Sequence, residues 1–182
     1  MKRLPQTEFI ALMAMLAATV AFSIDAMLPA LPQIGLDLTP LNLNRAQLII
    51  TSFVLGMGIG TLFTGPLSDA FGRKPVMVGG ALVYILACVM AWRAQSLEVM
   101  LIARVAQGLG AAGPRVVAMA LVRDLYSGRE MARIMSFVMI VFSIVPALAP
   151  TLGHYIILGF GWRGIFGAFV VFAAVVLAWL LV

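Results

Sequence analysis

The sequence predicts an all-α integral membrane protein, a bundle of six transmembrane helices, and three observations carry that expectation. Hydrophobic residue types fill 63% of the 182 positions, more than a globular core of this size can hide. Charged residues make up only 10%, against about 25% in a water-soluble domain. Six apolar runs, at 9–31, 46–67, 75–92, 99–122, 134–160 and 164–182, are long enough or nearly so to cross a bilayer. Together they make a single membrane domain spanning 1–182.

The apolar residues run continuously instead of alternating, which excludes barrel strands. Helices then remain as the way to satisfy the backbone in hydrocarbon. The start, MKRLPQTEF, has the charge of a signal peptide, but the run behind it is too long and others follow, so it reads as a retained first helix. In that helix Ala11, Ala14, Ala18 and Ala21 recur at spacings of three and four, and Asp25 continues the series. The second run holds the small-residue pair Gly56 and Gly60, a spacing that lets membrane helices approach closely. Pro75 opens the third, where its missing N–H costs nothing. The fourth, LIARVAQGLGAAGPRVVAMALVRD, carries two arginines, and the fifth carries Ser136, Ser143, Pro146, Pro150 and Gly153 at heptad-like spacing. Two prolines free carbonyls and bend a helix, either as a plain bend or as a shape that seals or hinges a pathway. Connections near 93–98 and 160–163 are short enough to make antiparallel hairpins.

Basic residues set the sidedness. Lys2, Arg3, Arg73, Lys74, Arg123, Arg129 and Arg133 fall on one side, and Arg45, Arg93 and Arg163 on the other, which places both termini in the cytoplasm. The net charge of +5 is scattered between apolar runs with no basic face, so no nucleic-acid partner is expected. Cys88, the one cysteine, excludes an internal disulfide and reads as a packing residue. No cofactor is expected: no cluster of histidines and carboxylates supports a metal. Nor is the chain expected to be an enzyme. It has no serine elbow to go with His154, and Asp25 lacks the facing carboxylate of a membrane aspartyl protease.

The buried charges are the candidate site. A charge near the bilayer centre costs at least ~2.5–3.5 kcal/mol, so an intramembrane carboxylate is a functional candidate by default. Asp25, sixteen residues into its run, suits reversible protonation; the alternative is a fixed ion pair that orients two helices. Arg104 lies at a similar depth and is its candidate partner. Arg115, eleven residues on, returns to within ~20° of the same helix face. Gly108 and Ala111 lie between them and Gln107 at the edge, a polar, open stripe that faces a cavity or a tightly packed neighbour. Either arginine can instead be structural, and Arg115 can snorkel to the membrane surface. His154 borders the heptad-spaced face of the fifth helix near its outer end and reads as an interfacial residue.

Between the second and third runs stands GPLSDAFGRKP, where Gly65, Leu67, Asp69, Gly72, Arg73 and Lys74 fit the loop motif of the major facilitator superfamily. Ala70 departs from it, standing where an arginine is usual. The fourth run is similar to the family's R-x-x-Q-G-x-G-A-A pattern through Arg104, Gln107, Gly108, Gly110, Ala111 and Ala112. The fifth, SIVPALAPTLG, resembles the motif of proton-coupled drug antiporters. DAMLPALP and ALVRDLYSGRE are similar to the bicyclomycin and chloramphenicol resistance subfamily.

The resemblance, to the amino-terminal half of such a transporter with its three-plus-three helix repeat, implies proton-coupled efflux by alternating access in a bacterial inner membrane. Small apolar or amphipathic drugs and protons would be the cargo, with the lipid bilayer as surroundings. It implies a proton and drug pathway through Asp25, Arg104, Gln107 and Arg115. It implies a cytoplasmic latch of Gly65, Asp69, Gly72, Arg73 and Lys74, in which the two glycines allow a tight turn. Arg73 would meet Asp124, and Asp69 the other half. Pro146, Pro150 and Gly153 would mark the antiporter helix. The chain ends inside an apolar run, LAWLLV, so a second six-helix half is expected, in the same polypeptide or by dimerisation. A six-helix membrane protein that does not transport is the alternative.

Overall fold

The computed structural model describes residues 5–181. α1 (Gln6–Asp25) is followed by a 3-10 turn (Leu28–Ala30), short α2 (Leu31–Leu38) and a second 3-10 turn (Leu43–Gln47). Then come α3 (Leu48–Phe71), α4 (Arg73–Trp92), α5 (Leu97–Leu125), α6 (Gly128–Phe160) and α7 (Arg163–Leu181). Six of these are long and apolar enough to cross a membrane, counting α2 as the continuation of α1, and no strand occurs among the described residues.

α5 is the hub. It packs along α3 on one side and α4 on the other and touches α1, which in turn lies against α6 and α7. Glycines bring α5 into backbone contact with both neighbours. A Cβ on Gly108 would fall 2.1 Å from the Phe53 carbonyl oxygen, and one on Gly56 2.1 Å from that of Val105. On the α4 side a Cβ on Gly110 would lie 2.5 Å from the Tyr84 amide nitrogen. Close backbone approach of this kind is the main source of helix association in lipid. Large side chains that point away from the bundle, among them Leu62, Phe63, Leu86, Ile102 and Phe160, are exposed, as expected of a lipid-facing surface.

Two expectations need correction. The first run is not one helix over 9–31: α1 ends at Asp25, because Pro29 has no N–H for the Asp25 carbonyl, and Pro29 and Pro32 restart the chain as the 3-10 turn and α2. α2 itself was unexpected, although Leu31, Ile34 and Leu38 have helical spacing. Gly65, in turn, is not a turn residue; it lies inside α3 and a Cβ there would meet nothing within 4 Å. Gly72 alone makes the turn, at φ +92°, a conformation that side-chain-bearing residues rarely adopt. α6 continues as helix through Pro146 and Pro150. Of the basic residues that set the sidedness, Lys2 and Arg3 lie outside the described residues.

Candidate functional site

The site begins with a fully buried guanidinium. Arg104 and Gln107, one turn apart on α5, are both 0% exposed. Arg104 Nη1 donates to Gln107 Oε1 (2.7 Å), Nη2 to the Ser23 carbonyl (3.0 Å) and Nε to the Ile49 carbonyl (3.2 Å). Its Cζ stands 4.6 Å from the centroid of the Phe53 ring. The cation is thus held by three neutral acceptors and an aromatic face, an arrangement that makes a buried charge tolerable. The expected Arg104–Asp25 pair does not form. Arg104 reaches the backbone two residues before Asp25 instead.

That carbonyl is available for a local reason. Where α1 ends, the Met27 amide turns to Ile24, and the Ser23 oxygen that a continuing helix would use is left for Arg104. The Ser23 side chain is fixed as well. Its hydroxyl donates to the Thr19 carbonyl (2.6 Å) and lies 2.6 Å from the Tyr84 hydroxyl. Since a serine has one proton to give, Tyr84 is the donor between them. Gln107 Nε2 completes the network by donating to Cys88 Sγ (3.1 Å). No buried side-chain nitrogen or oxygen among the described residues lacks a partner.

Asp25 stands beside this network but outside it. It is half-buried, and its carboxylate makes no hydrogen bond or ion pair among the described residues. The next residue, Ala26, is clamped: a Cβ on Gly153 of α6 would fall 2.3 Å from the Ala26 carbonyl oxygen. Gly153 therefore belongs to the structure around Asp25, whereas Pro150 and Pro146 are half-buried about one and two turns away. Arg115 is half-buried, with Nη1 3.5 Å from Met57 Sδ. His154 is exposed, with its ring centroid 6.0 Å from that of Tyr155. The stripe on α5 faces a tightly packed neighbour. Ser23, Tyr84, Cys88 and Phe53 were missed as members of the site, because a neutral residue in an apolar run carries no sign of which helix it faces.

A second cluster lies where α3 turns into α4. Arg73 Nη1 contacts Asp69 Oδ1 (2.9 Å) and donates to Ser68 Oγ (2.6 Å), and its Nε donates to Asp124 Oδ2 at the end of α5 (3.1 Å). Lys74 Nζ donates to the Leu181 carbonyl (3.2 Å). Asp69 is 69% exposed and Asp124 48%, so each pair is worth no more than about 1 kcal/mol. At the opposite end, Trp162 Nε1 donates to Asp37 Oδ2 (2.7 Å), tying α2 to the turn between α6 and α7. No group of three or more metal-ligating side chains occurs among the described residues.

The structure is thus a bundle of six apolar helices with an arginine–glutamine pair buried inside it and a charged turn at one end. The sequence signature of the Major Facilitator Superfamily matches residues 10–182, and the chain belongs to that family. It is 36% identical over 158 residues to a bicyclomycin resistance protein homolog of Haemophilus influenzae, covering 87% of this chain and 39% of that one. It is 41% identical over 145 residues to the multidrug resistance protein MdtL of Citrobacter koseri, covering 79% and 36%. The inward-open xylose transporter XylE from E. coli superposes with a TM-score of 0.86 at 15% identity, over 97% of this chain and 48% of that one; that likeness speaks to fold alone. The chain spans well under half the length of the curated relatives it matches.

Proposed function

We propose that this chain is the amino-terminal half of a proton-coupled drug exporter that works by alternating access in a bacterial inner membrane, with both termini cytoplasmic. The observation that carries this reading is the state of Asp25. Arg104, its expected partner, is already bonded to backbone and to Gln107. Asp25 therefore has no counter-ion among the described residues, and a lone carboxylate in a membrane needs a proton, a cargo cation or a partner from outside.

Asp25 takes a proton from the external side, and proton and drug then compete for a cavity whose wall is α1 and α5. Arg104 acts on Asp25 through the backbone, by fixing the end of α1 that carries it. Methionine and aromatic side chains give a forgiving apolar wall for small apolar or amphipathic drugs. The Asp69–Arg73–Asp124 cluster is one side of a cytoplasmic latch that closes on a second six-helix half of the same polypeptide. The names of the bicyclomycin- and multidrug-resistance relatives support the drug reading.

The test is drug accumulation in hypersensitive cells making the full-length protein, with and without a protonophore. Wild type lowers accumulation only while the proton gradient stands, and Asp25→Asn does not lower it at matched protein levels. Undiminished efflux by Asp25→Asn removes the proton role.

A further inference from the structure

α6 has 33 residues, about 50 Å of helix, against a hydrocarbon core of about 30 Å. One of its ends must therefore stand at headgroup level. The end that begins at Gly128 forms, with the start of α1, a cavity of about 290 Å³ lined by Thr7, Ile10, Arg133, Ile134 and Phe137. Arg133 lies with its Cζ 5.9 Å from the centroid of the Phe137 ring. No carboxylate among the described residues is within ion-pair distance of it, whereas Arg73 at the same end of the bundle contacts two.

We propose that this cavity is a binding site for an anionic phospholipid. Its polar part, the exposed Arg133 guanidinium and the Thr7 hydroxyl, offers a charge and donors to a phosphate. Its apolar part, Ile10, Ile134 and Phe137, continues from there along the helices and takes the start of an acyl chain. A free phosphate would use only the first part; a lipid uses both. Arg123 and Arg129, also exposed at this end, are accompanied there by the exposed carboxylates of Glu8, Asp124 and Glu130, so it is the Arg133 guanidinium at the cavity that favours lipids with net negative charge over zwitterionic ones. The site is separate from the buried Arg104 network and requires no assumption about cargo.

Native mass spectrometry of the full-length protein in mild detergent tests this, with dimyristoyl phosphatidylglycerol and dimyristoyl phosphatidylethanolamine as competing probes. The expected result is retention of phosphatidylglycerol by wild type about fivefold better than by Arg133→Gln. Phe137→Ala should also retain less, and Arg123→Gln, outside the cavity, should match wild type. Excess inorganic phosphate should not displace the bound lipid. The assignment fails if Arg133→Gln holds phosphatidylglycerol as wild type does, or if the two lipids bind alike. It also fails if Arg123→Gln loses as much, or if inorganic phosphate displaces the lipid. An Arg133→Gln protein that has lost its fold is recognised by its melting temperature, and Phe137→Ala with Thr7→Val then decides: unchanged lipid retention in both overturns the site.

Discussion

Arg104 holds Ser23 by its backbone carbonyl, at 3.0 Å, and leaves the carboxylate of Asp25 two residues further on without a partner among the described residues. Asp25 and Arg104 are thus linked through the end of a helix and not through an ion pair. The cation is satisfied by fixed dipoles, and on the function proposed above the carboxylate is the group that changes state.

Arg104 is therefore a structural keystone first. Arg104→Ala should destabilise the full-length protein in detergent by about 2–4 kcal/mol, since it leaves a void and strips partners from Gln107 and two carbonyls. Arg104→Lys should recover only part of this, having no planar fork to reach three acceptors. Thermal unfolding reads both. An Arg104→Ala protein as stable as wild type would contradict the anchoring role.

The tie between Ser23 and Tyr84 has a smaller, separable effect. Tyr84→Phe removes one buried hydrogen bond worth about 0.5–1.5 kcal/mol. A double-mutant cycle with Ser23→Ala should show that the two changes are not additive. Full additivity would mean that the 2.6 Å contact contributes nothing.

Glycines in this bundle fall into two kinds that substitution can tell apart. Gly108→Ala drives a methyl into the Phe53 carbonyl, and should sharply reduce the yield of folded, monodisperse protein. Gly65→Ala meets open space and should alter stability by no more than about 0.5 kcal/mol. If Gly65→Ala nevertheless abolishes efflux, Gly65 contacts something outside these six helices.

The latch predicts a change in rate without a change in fold. Asp69 and Asp124 are exposed enough that losing either costs at most about 1 kcal/mol. Asp69→Asn should slow drug efflux severalfold while the melting temperature holds. Efflux at the wild-type rate would remove Asp69 from the gate.

The six-helix architecture was legible because the lipid solvent imposes one simple rule, a long apolar run between charged turns, and the chain obeys it six times. Asp25 and Arg104 stood out for the same reason, as exceptions to that rule. What pairs with them did not. Helical spacing tells which face of α5 carries Arg104, but nothing in LIARVAQG says that a frayed carbonyl of α1 lies opposite. The break at Asp25 was signalled by Pro29 and Pro32 and hidden by the apolar residues around them. The Arg73–Asp124 contact came from resemblance to known sequences; spacing alone does not pair residues 51 positions apart. Gly65 misled because a glycine in a motif reads as a turn, whereas the helix continues through it.

The intact protein, purified from its native membrane, should have a mass at least roughly twice the 19.5 kDa of this chain, since transporters of this kind bind cargo between two halves. A mass of 19.5 kDa would mean that the chain pairs with itself or with another half to transport, or does not transport at all.

The most direct test of the central claim is drug-driven proton movement in liposomes holding the full-length protein. Adding drug to one side of wild-type vesicles should move protons in the opposite direction, read by a pH-sensitive dye, and Asp25→Asn vesicles should give no such signal while still binding drug. Proton movement of equal size from Asp25→Asn would contradict the account.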